Sequence, residues 1–322
     1  VWPLEPEGMR EFAEGLEEIL VVEEKRSLIE GQLKEQLYDL PDNKRPNVLG
    51  KHDEEGNWIL PSSGELTPAQ IASAIAKRLA RWHNSEAISE RLSFLERKDA
   101  SLAQQPPAAK RIPFFCSGCP HNTSTKVPEG SRALAGIGCH FMSVWMDRNT
   151  ETFTHMGGEG VSWVGQAPFV EDDHVFVNLG DGTYYHSGFM AIRQAVASGE
   201  NMTYKILFND AVAMTGGQHH DGPLTVPGIT RQMEAEGVQR IVVVSDEPDK
   251  YPTGAPFAHG VTIHHRDELD SIQKDLREFP GVSVLVYDQT CAAEKRRRRK
   301  RGTFPDPAKR VMINEQVCEG CG

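Results

Sequence analysis

Residues 174–210, HVFVNLGDGTYYHSGFMAIRQAVASGENMTYKILFND, decide the fold. A short apolar run, 175–179, stops at Gly180-Asp181-Gly182; a helix-like stretch follows, and a second run, 204–208, stops at Asn209-Asp210. Strand, glycine-rich turn, helix and strand make a βαβ unit, with its loops at the carboxyl ends of parallel strands where such sheets bind ligands. An aspartate between two glycines sets a carboxylate on backbone that can approach a phosphate closely. Asn209 offers a second oxygen at the same end of the sheet. Two oxygen donors and a glycine-rich anion cradle predict Mg²⁺ and a diphosphate.

Working outward, the alternation continues. Strands are expected at 174–179, 204–209, 240–245 and 282–288, with helices at 185–198, 226–237 and 267–278. That spacing predicts an α/β domain over 109–302, a doubly wound parallel sheet covered on both faces. Val284-Leu285-Val286 is the continuous apolar run of a central strand. Upstream, Met9, Phe12, Leu16 and Ile19 share one helical face over 7–20; 20–22 reads as a strand and 28–37 as an amphipathic helix. Residues 40–66 read as loop. Pro68 opens a helix striped by Ile71, Ile75, Leu79 and Trp82, polar helix runs on to Leu102, and Gln105-Pro106-Pro107 reads as a linker. Residues 1–108 are therefore a small α/β fragment, the expected tail of a domain that begins earlier. The chain opens without Met and stops inside a cysteine motif, so a longer parent polypeptide is expected. No internal repeat is visible.

The chain has 322 residues, 39% hydrophobic content and a net charge of −11, a balance that does not suggest nucleic acid. The basic run 295–301 then reads as a docking or solvated segment rather than a nucleic-acid patch. No stretch nears the roughly 18 apolar residues of a membrane span, and no signal peptide opens the chain, so a cytoplasmic protein is expected. Six cysteines include two CxxC pairs, which points to metal or redox work rather than to disulfides. Cys116 and Cys119 with His121 or His140 could make a zinc site. The glycines of Met156-Gly157-Gly158-Glu159-Gly160 can present N–H groups to a diphosphate, with Glu159 facing the metal or a lysine. His186 and Ser187 follow the Gly-Asp-Gly turn and could touch diphosphate or substrate, a helix-start role being the alternative. Thr215-Gly216-Gly217-Gln218 would line the same crevice. His219-His220 and His264-His265 read as surface pairs.

The strings CSGCPHNTS, GIGCHFM, HMGGEGVSWVGQAPF, NLGDGTYYHSG, ILFNDAVAMTGGQHH and QTCAAEKRRRRKRG span most of 111–302. Together they resemble the 2-oxoacid:ferredoxin oxidoreductases, and within them the large, fused indolepyruvate ferredoxin oxidoreductase subunits. The opening, PLEPEGMREFAEGLEEILVVEEKR, resembles the transketolase-C-like domain of the same proteins. The resemblance implies thiamine diphosphate held through Mg²⁺ by the Asp181 and Asn209 side chains and the Ala211 carbonyl. It implies Gly157, Gly158, Gly180, Gly182, His186, Ser187 and Thr215 around that cofactor. It also implies a [4Fe–4S] cluster on Cys116, Cys119, Cys139 and Cys291, and a ferredoxin-like segment over 303–322 starting at Cys318 and Cys321. The implied reaction is oxidative decarboxylation of an aryl 2-oxoacid such as indolepyruvate to its acyl-coenzyme A, with electrons passed to ferredoxin. The glutamate that activates the cofactor is expected outside this chain, in other domains or subunits of an oligomer. A non-redox thiamine enzyme and a non-catalytic scaffold are the alternatives.

Overall fold

Proline in the first turn and a left-handed glycine just past the end bound the first helix, α1 (Pro6–Ala13), after which Gly15 at φ +76° turns the chain into strand β1 (Glu18–Leu20). The helix expected over 7–20 is therefore shorter: Leu16 lies in the turn and Ile19 in the strand, because the glycine ends the helical repeat. The computed structural model describes residues 2–104, 112–309 and 311–319, and the chain divides into two units, 1–110 and 111–322.

In the first unit β1 pairs in parallel with β2 (Asn47–Leu49), inside the stretch read as loop. Three residues among Asp, Asn, Gly and Pro carry no legible period. Helix α2 (Ile29–Leu37) brings Leu33 and Leu37 onto Ala13, Ile19 and Val48 to close a small core. Thr67 and Gln70 form a reciprocal capping box that starts α3 (Pro68–Leu79), and α4 (Glu86–Gln104) follows. The expected α3 stripe is only partly buried: Ile75, Leu79 and Trp82 are exposed, and the Trp82 indole donates to Glu17 Oε2 at 2.7 Å. The linker expected at 105–107 lies outside the described residues.

The second unit begins with the short α5 (His121–Ser124), β3 (Ala133–Ala135), β4 (Thr150–Phe153) and α6 (Val161–Gln166). Strand β5 (Val175–Gly180) runs straight into helical α7 (Asp181–Thr183), a π-helical turn over Tyr184–Gly188, and α8 (Phe189–Ser198). Then come β6 (Met202–Phe208), α9 (Val226–Ala235), β7 (Arg240–Ser245), β8 (Thr262–His265), α10 (Leu269–Arg277), β9 (Val282–Asp288) and α11 (Ala292–Lys300). The seven strands form one parallel sheet in the order β4-β3-β5-β6-β9-β7-β8.

The expected doubly wound α/β fold is borne out, because both faces of this sheet are covered. Val177, Leu179, Tyr204 and Val284 pack under Ile192 of α8 and Ile229 and Met233 of α9. On the reverse, Val242, Val244, Leu285 and Tyr287 meet Leu269, Ile272 and Leu276 of α10. Beside this cluster the same face also buries polar side chains. Lys205 Nζ lies over the Phe176 ring and donates to the Lys126 carbonyl at 2.8 Å, and burial pulls its pKa down to about 7. Thr203 Oγ1 meets His174 Nε2 and Ser283 Oγ, each at 2.8 Å. The chain steps outward from β3 to β4 and returns across β3 to β5, so the switch in direction opens a crevice above β3, β5 and β6. No helix among the described residues is long and apolar enough to cross a membrane.

Candidate cofactor site

The crevice is built around the Asp181 carboxylate. β5 ends at Gly180, and Asp181 opens the helix that follows with its side chain almost fully buried. Its Oδ1 accepts from Gly182 N–H at 2.9 Å, and its Oδ2 accepts from the N–H groups of Asn209 and Asp210 at 2.8 and 3.0 Å. One carboxylate thus ties the end of β5 to the loop after β6. Asn209 spends its backbone on this tie, while its side-chain Oδ1 is buried and has no hydrogen-bond partner. A buried orphan oxygen is costly unless something absent occupies it.

Asn209 belongs to a cavity of about 260 Å³ walled also by Gly180, Asp181, Gly182, Ala211 and Thr215, with His186 at its side. The helix start after Gly180 adds its positive dipole end. An oxygen-rich corner beside an anion-binding helix start fits Mg²⁺ and a diphosphate. A wider hollow of about 450 Å³ in the first unit, beside Lys77 and Arg78, holds none of the expected site residues.

Other expected residues stand one layer back. Gly157 and Gly158 do not reach the cavity wall; a Cβ on Gly157 would overlap Ser187 Oγ, so Gly157 and Ser187 pack on each other. His186 Nδ1 lies 2.8 Å from Ser187 Oγ and is otherwise open to solvent. Glu159 lies off the cavity wall and turns back onto its own loop. Its Oε2 accepts from Gly157 N–H at 2.7 Å, Tyr204 Oη donates to its carbonyl at 2.9 Å, and burial raises its pKa. The carboxylate pins its own glycine loop, and its Oε1 is a further orphan.

Three histidines are closer to the site than the sequence suggested. His220, read as a surface residue, is half-buried with its imidazole turned inward, Nε2 3.5 Å from Asp181 Oδ2, and that carboxylate raises its pKa. His121 and His140 line the cavity with ring centroids 5.5 Å apart. Burial lowers them to about 4 and about 3, so both are neutral at physiological pH. The sequence marked them only as candidate zinc ligands beside Cys116 and Cys119, and burial is not written there. The pair His264-His265 sits at the far edge on β8, away from the cavity.

The four expected cluster cysteines arrive from three loops. Cys116 and Cys119 form a tight turn, with Cys119 N–H donating to the Cys116 carbonyl at 2.9 Å. Cys139 follows β3, and Cys291 caps α11 after β9. Burial, and then the neighbouring Cys291, Cys116 and Cys139, push the Cys119 thiol up to about 12. Cys139 is raised by burial and by Cys291 and Cys116. The sulfurs therefore share one neighbourhood, and a Cβ on Gly118 would sit 4.0 Å from Ala292 Cβ. Among the described residues no group of three or more His, Cys, Asp or Glu is placed to hold a metal ion, neither the Cys116–Cys119–histidine set nor the four cysteines. A set of four thiols is the donor chemistry of an iron–sulfur cluster. Cys318 is an exposed free thiol, and Cys321 lies outside the described residues.

Residues 136–286, which carry the Gly-Asp-Gly turn and the answering asparagine of this parallel sheet, match the family described as thiamine pyrophosphate enzyme, C-terminal TPP binding domain. More narrowly, residues 1–105 match the indolepyruvate ferredoxin oxidoreductase middle domain. The resemblance to the indolepyruvate ferredoxin oxidoreductases read from the motifs is thereby borne out. Indolepyruvate oxidoreductase subunit IorA of Thermococcus kodakarensis is 29% identical over 333 residues, covering 96% of this chain and 47% of its own length. The IorA of Pyrococcus horikoshii is 27% identical, covering 98% of this chain and 48% of its own. The chain thus spans about half the length of these relatives. A solved 2-oxoglutarate:ferredoxin oxidoreductase of Magnetococcus marinus aligns at a TM-score of 0.44 and 17% identity, over 61% of this chain and 67% of its own.

Proposed function

We propose that this chain is the part of a 2-oxoacid:ferredoxin oxidoreductase that grips the Mg²⁺–diphosphate end of thiamine diphosphate and holds a [4Fe–4S] cluster beside it. One observation carries the reading: Cys291 N–H donates to the Asn209 carbonyl at 3.0 Å. A cluster cysteine and a metal-ligand residue are thus joined through a single peptide hydrogen bond. Gln289 N–H likewise donates to the Phe208 carbonyl at 3.1 Å, so β6 and β9 stay paired past their ends and bring this cysteine and this asparagine to one end of the sheet.

The proposed reaction takes indolepyruvate or a similar aryl 2-oxoacid with coenzyme A to the acyl-coenzyme A and CO₂, two electrons passing to ferredoxin. Thiamine diphosphate supplies the electron sink for decarboxylation. The residues of this chain bind and orient. The Asp181 carboxylate, Asn209 Oδ1 and the Ala211 carbonyl hold Mg²⁺, and the helix start at Gly182 faces the diphosphate. Neutral His121 and His140 wall the cavity together with Cys139 and add no charge there. Cys116, Cys119, Cys139 and Cys291 take the cluster, and a segment opening at Cys318 leads electrons onward. The activating glutamate and the rest of the substrate pocket come from other domains or subunits of a cytoplasmic oligomer.

Iron and acid-labile sulfide in the anaerobically purified intact protein test this. Cys291→Ser is expected to lose about four irons relative to the parent, together with indolepyruvate-dependent reduction of ferredoxin. Unchanged iron in Cys291→Ser, or one zinc and no iron in the parent, would overturn the cluster. CO₂ release without ferredoxin reduction would favour a non-redox thiamine enzyme.

A further inference from the structure

The basic helix α11 has no part in the reading above beyond its first residue, yet most of its charges are committed. Arg298 donates from Nη1 to Asp210 Oδ2 at 2.6 Å and from Nη2 to the Asp210 carbonyl at 3.1 Å. Its Nε donates to Glu294 Oε1 at 3.1 Å, and Glu294, itself buried, also takes Arg297 at 3.0 Å. Lys295 reaches Asp246 at 3.3 Å, and Arg296 donates to the Ser117 carbonyl at 3.0 Å. The helix is thus bolted to the cysteine turn, to the loop after β6 and to Asp246 after β7.

The residue that Arg298 grips has an unusual backbone. Asp210 lies at φ +62°, a left-handed conformation that costs a non-glycine residue free energy. It stands between Asn209 and Ala211, the two proposed Mg²⁺ ligand positions on this loop. A residue at φ > 0 between two ligands decides whether the Asn209 side chain and the Ala211 carbonyl converge or diverge. The N–H of Asp210 also binds Asp181 Oδ2 at 3.0 Å, so the turn is held from both sides.

We propose that Arg298 is a positioning residue: it holds Asp210 left-handed and so presets Asn209 and Ala211 for Mg²⁺ and the diphosphate. The inference rests on the thiamine diphosphate reading of the site. A planar guanidinium fork bonding side chain and carbonyl of one residue fixes its dihedrals in a way a point charge does not.

The test uses the intact, assembled protein, with two readouts. One is the affinity for thiamine diphosphate in saturating Mg²⁺ by calorimetry. The other is amide hydrogen exchange over 209–211 without cofactor. Arg298→Ala is expected to weaken affinity about tenfold, a loss of about 1.4 kcal/mol, and to speed exchange at these amides. Arg298→Lys should fall between, and serves in its place if the alanine variant does not fold. Asp210→Gly supplies the discriminating arm, because glycine adopts φ > 0 freely. Added to either arginine variant, it should restore most of the lost affinity and protection. Arginine variants that bind and exchange like the parent, or losses that Asp210→Gly leaves in place or deepens, would overturn the inference. A parent protein that binds no thiamine diphosphate would instead sink the functional reading, and the exchange readout would still decide the role of Arg298.

Discussion

At the residue scale, Asp181 and Asn209 divide between structure and binding. The Asp181 carboxylate accepts three backbone N–H groups, whereas the Asn209 side-chain oxygen accepts none. Asp181→Ala should therefore cost about 1–3 kcal/mol of stability, the price of buried donors left unpaired, and abolish cofactor binding. Asn209→Ala should lose cofactor affinity with a melting temperature that is unchanged or higher. Equal melting losses in the two cofactor-free variants would contradict this division. Lys205 makes a separate prediction. Its pKa is depressed by burial from 10.5 to about 7, so the unfolded chain binds the extra proton between those values. Its cost to folding is full below about pH 7 and is relieved as pH rises toward 10.5. Lys205→Met should raise the melting temperature at pH 7 and flatten the rise in stability above it. A variant less stable than the parent at pH 7 would show that the bond to the Lys126 carbonyl outweighs the desolvation.

At the scale of elements, what was legible followed length. Strands of six or seven residues, β5, β6, β7 and β9, stood out as apolar runs, while β2, β3, β4 and β8, of three or four, did not. The Gly-Asp-Gly turn was legible because its chemistry is local. The inward turn of His220 toward Asp181 was not, since it depends on where a glycine-rich loop folds back. Nor did the basic run disclose its partners, because Asp210 and Asp246 lie 88 and 49 residues from the arginine and lysine that meet them. The π-helical turn over Tyr184–Gly188 has no sequence signature either; such turns recur at functional sites. It carries Ser187 against Gly157, which gives an element-scale prediction. Gly157 sits at φ +91°, and a side chain there is strained as well as overlapping Ser187. Gly157→Ala should cost about 1–3 kcal/mol, and Ser187→Gly should recover only part of it in thermal melts. Full recovery would mean that contact alone, not backbone conformation, selects glycine.

At the scale of the whole molecule, the site has one built half. The cavity is walled by loops after β3, β4, β5 and β6, and the chain spans about half the length of its curated relatives. The proposed activating glutamate belongs to the remainder. These 322 residues alone are accordingly expected to release no CO₂ from indolepyruvate, and the intact protein to release it; turnover by the 322 residues alone would contradict that division.

The central claim, that this crevice grips Mg²⁺ and a diphosphate, is tested most directly by calorimetric titration of the intact protein with thiamine diphosphate, with Mg²⁺ and after its removal by chelation. The account predicts binding that needs the metal, is lost in Asp181→Ala and is weakened at least tenfold in Asn209→Ala. Binding that persists undiminished in both variants, or that ignores Mg²⁺, would contradict it.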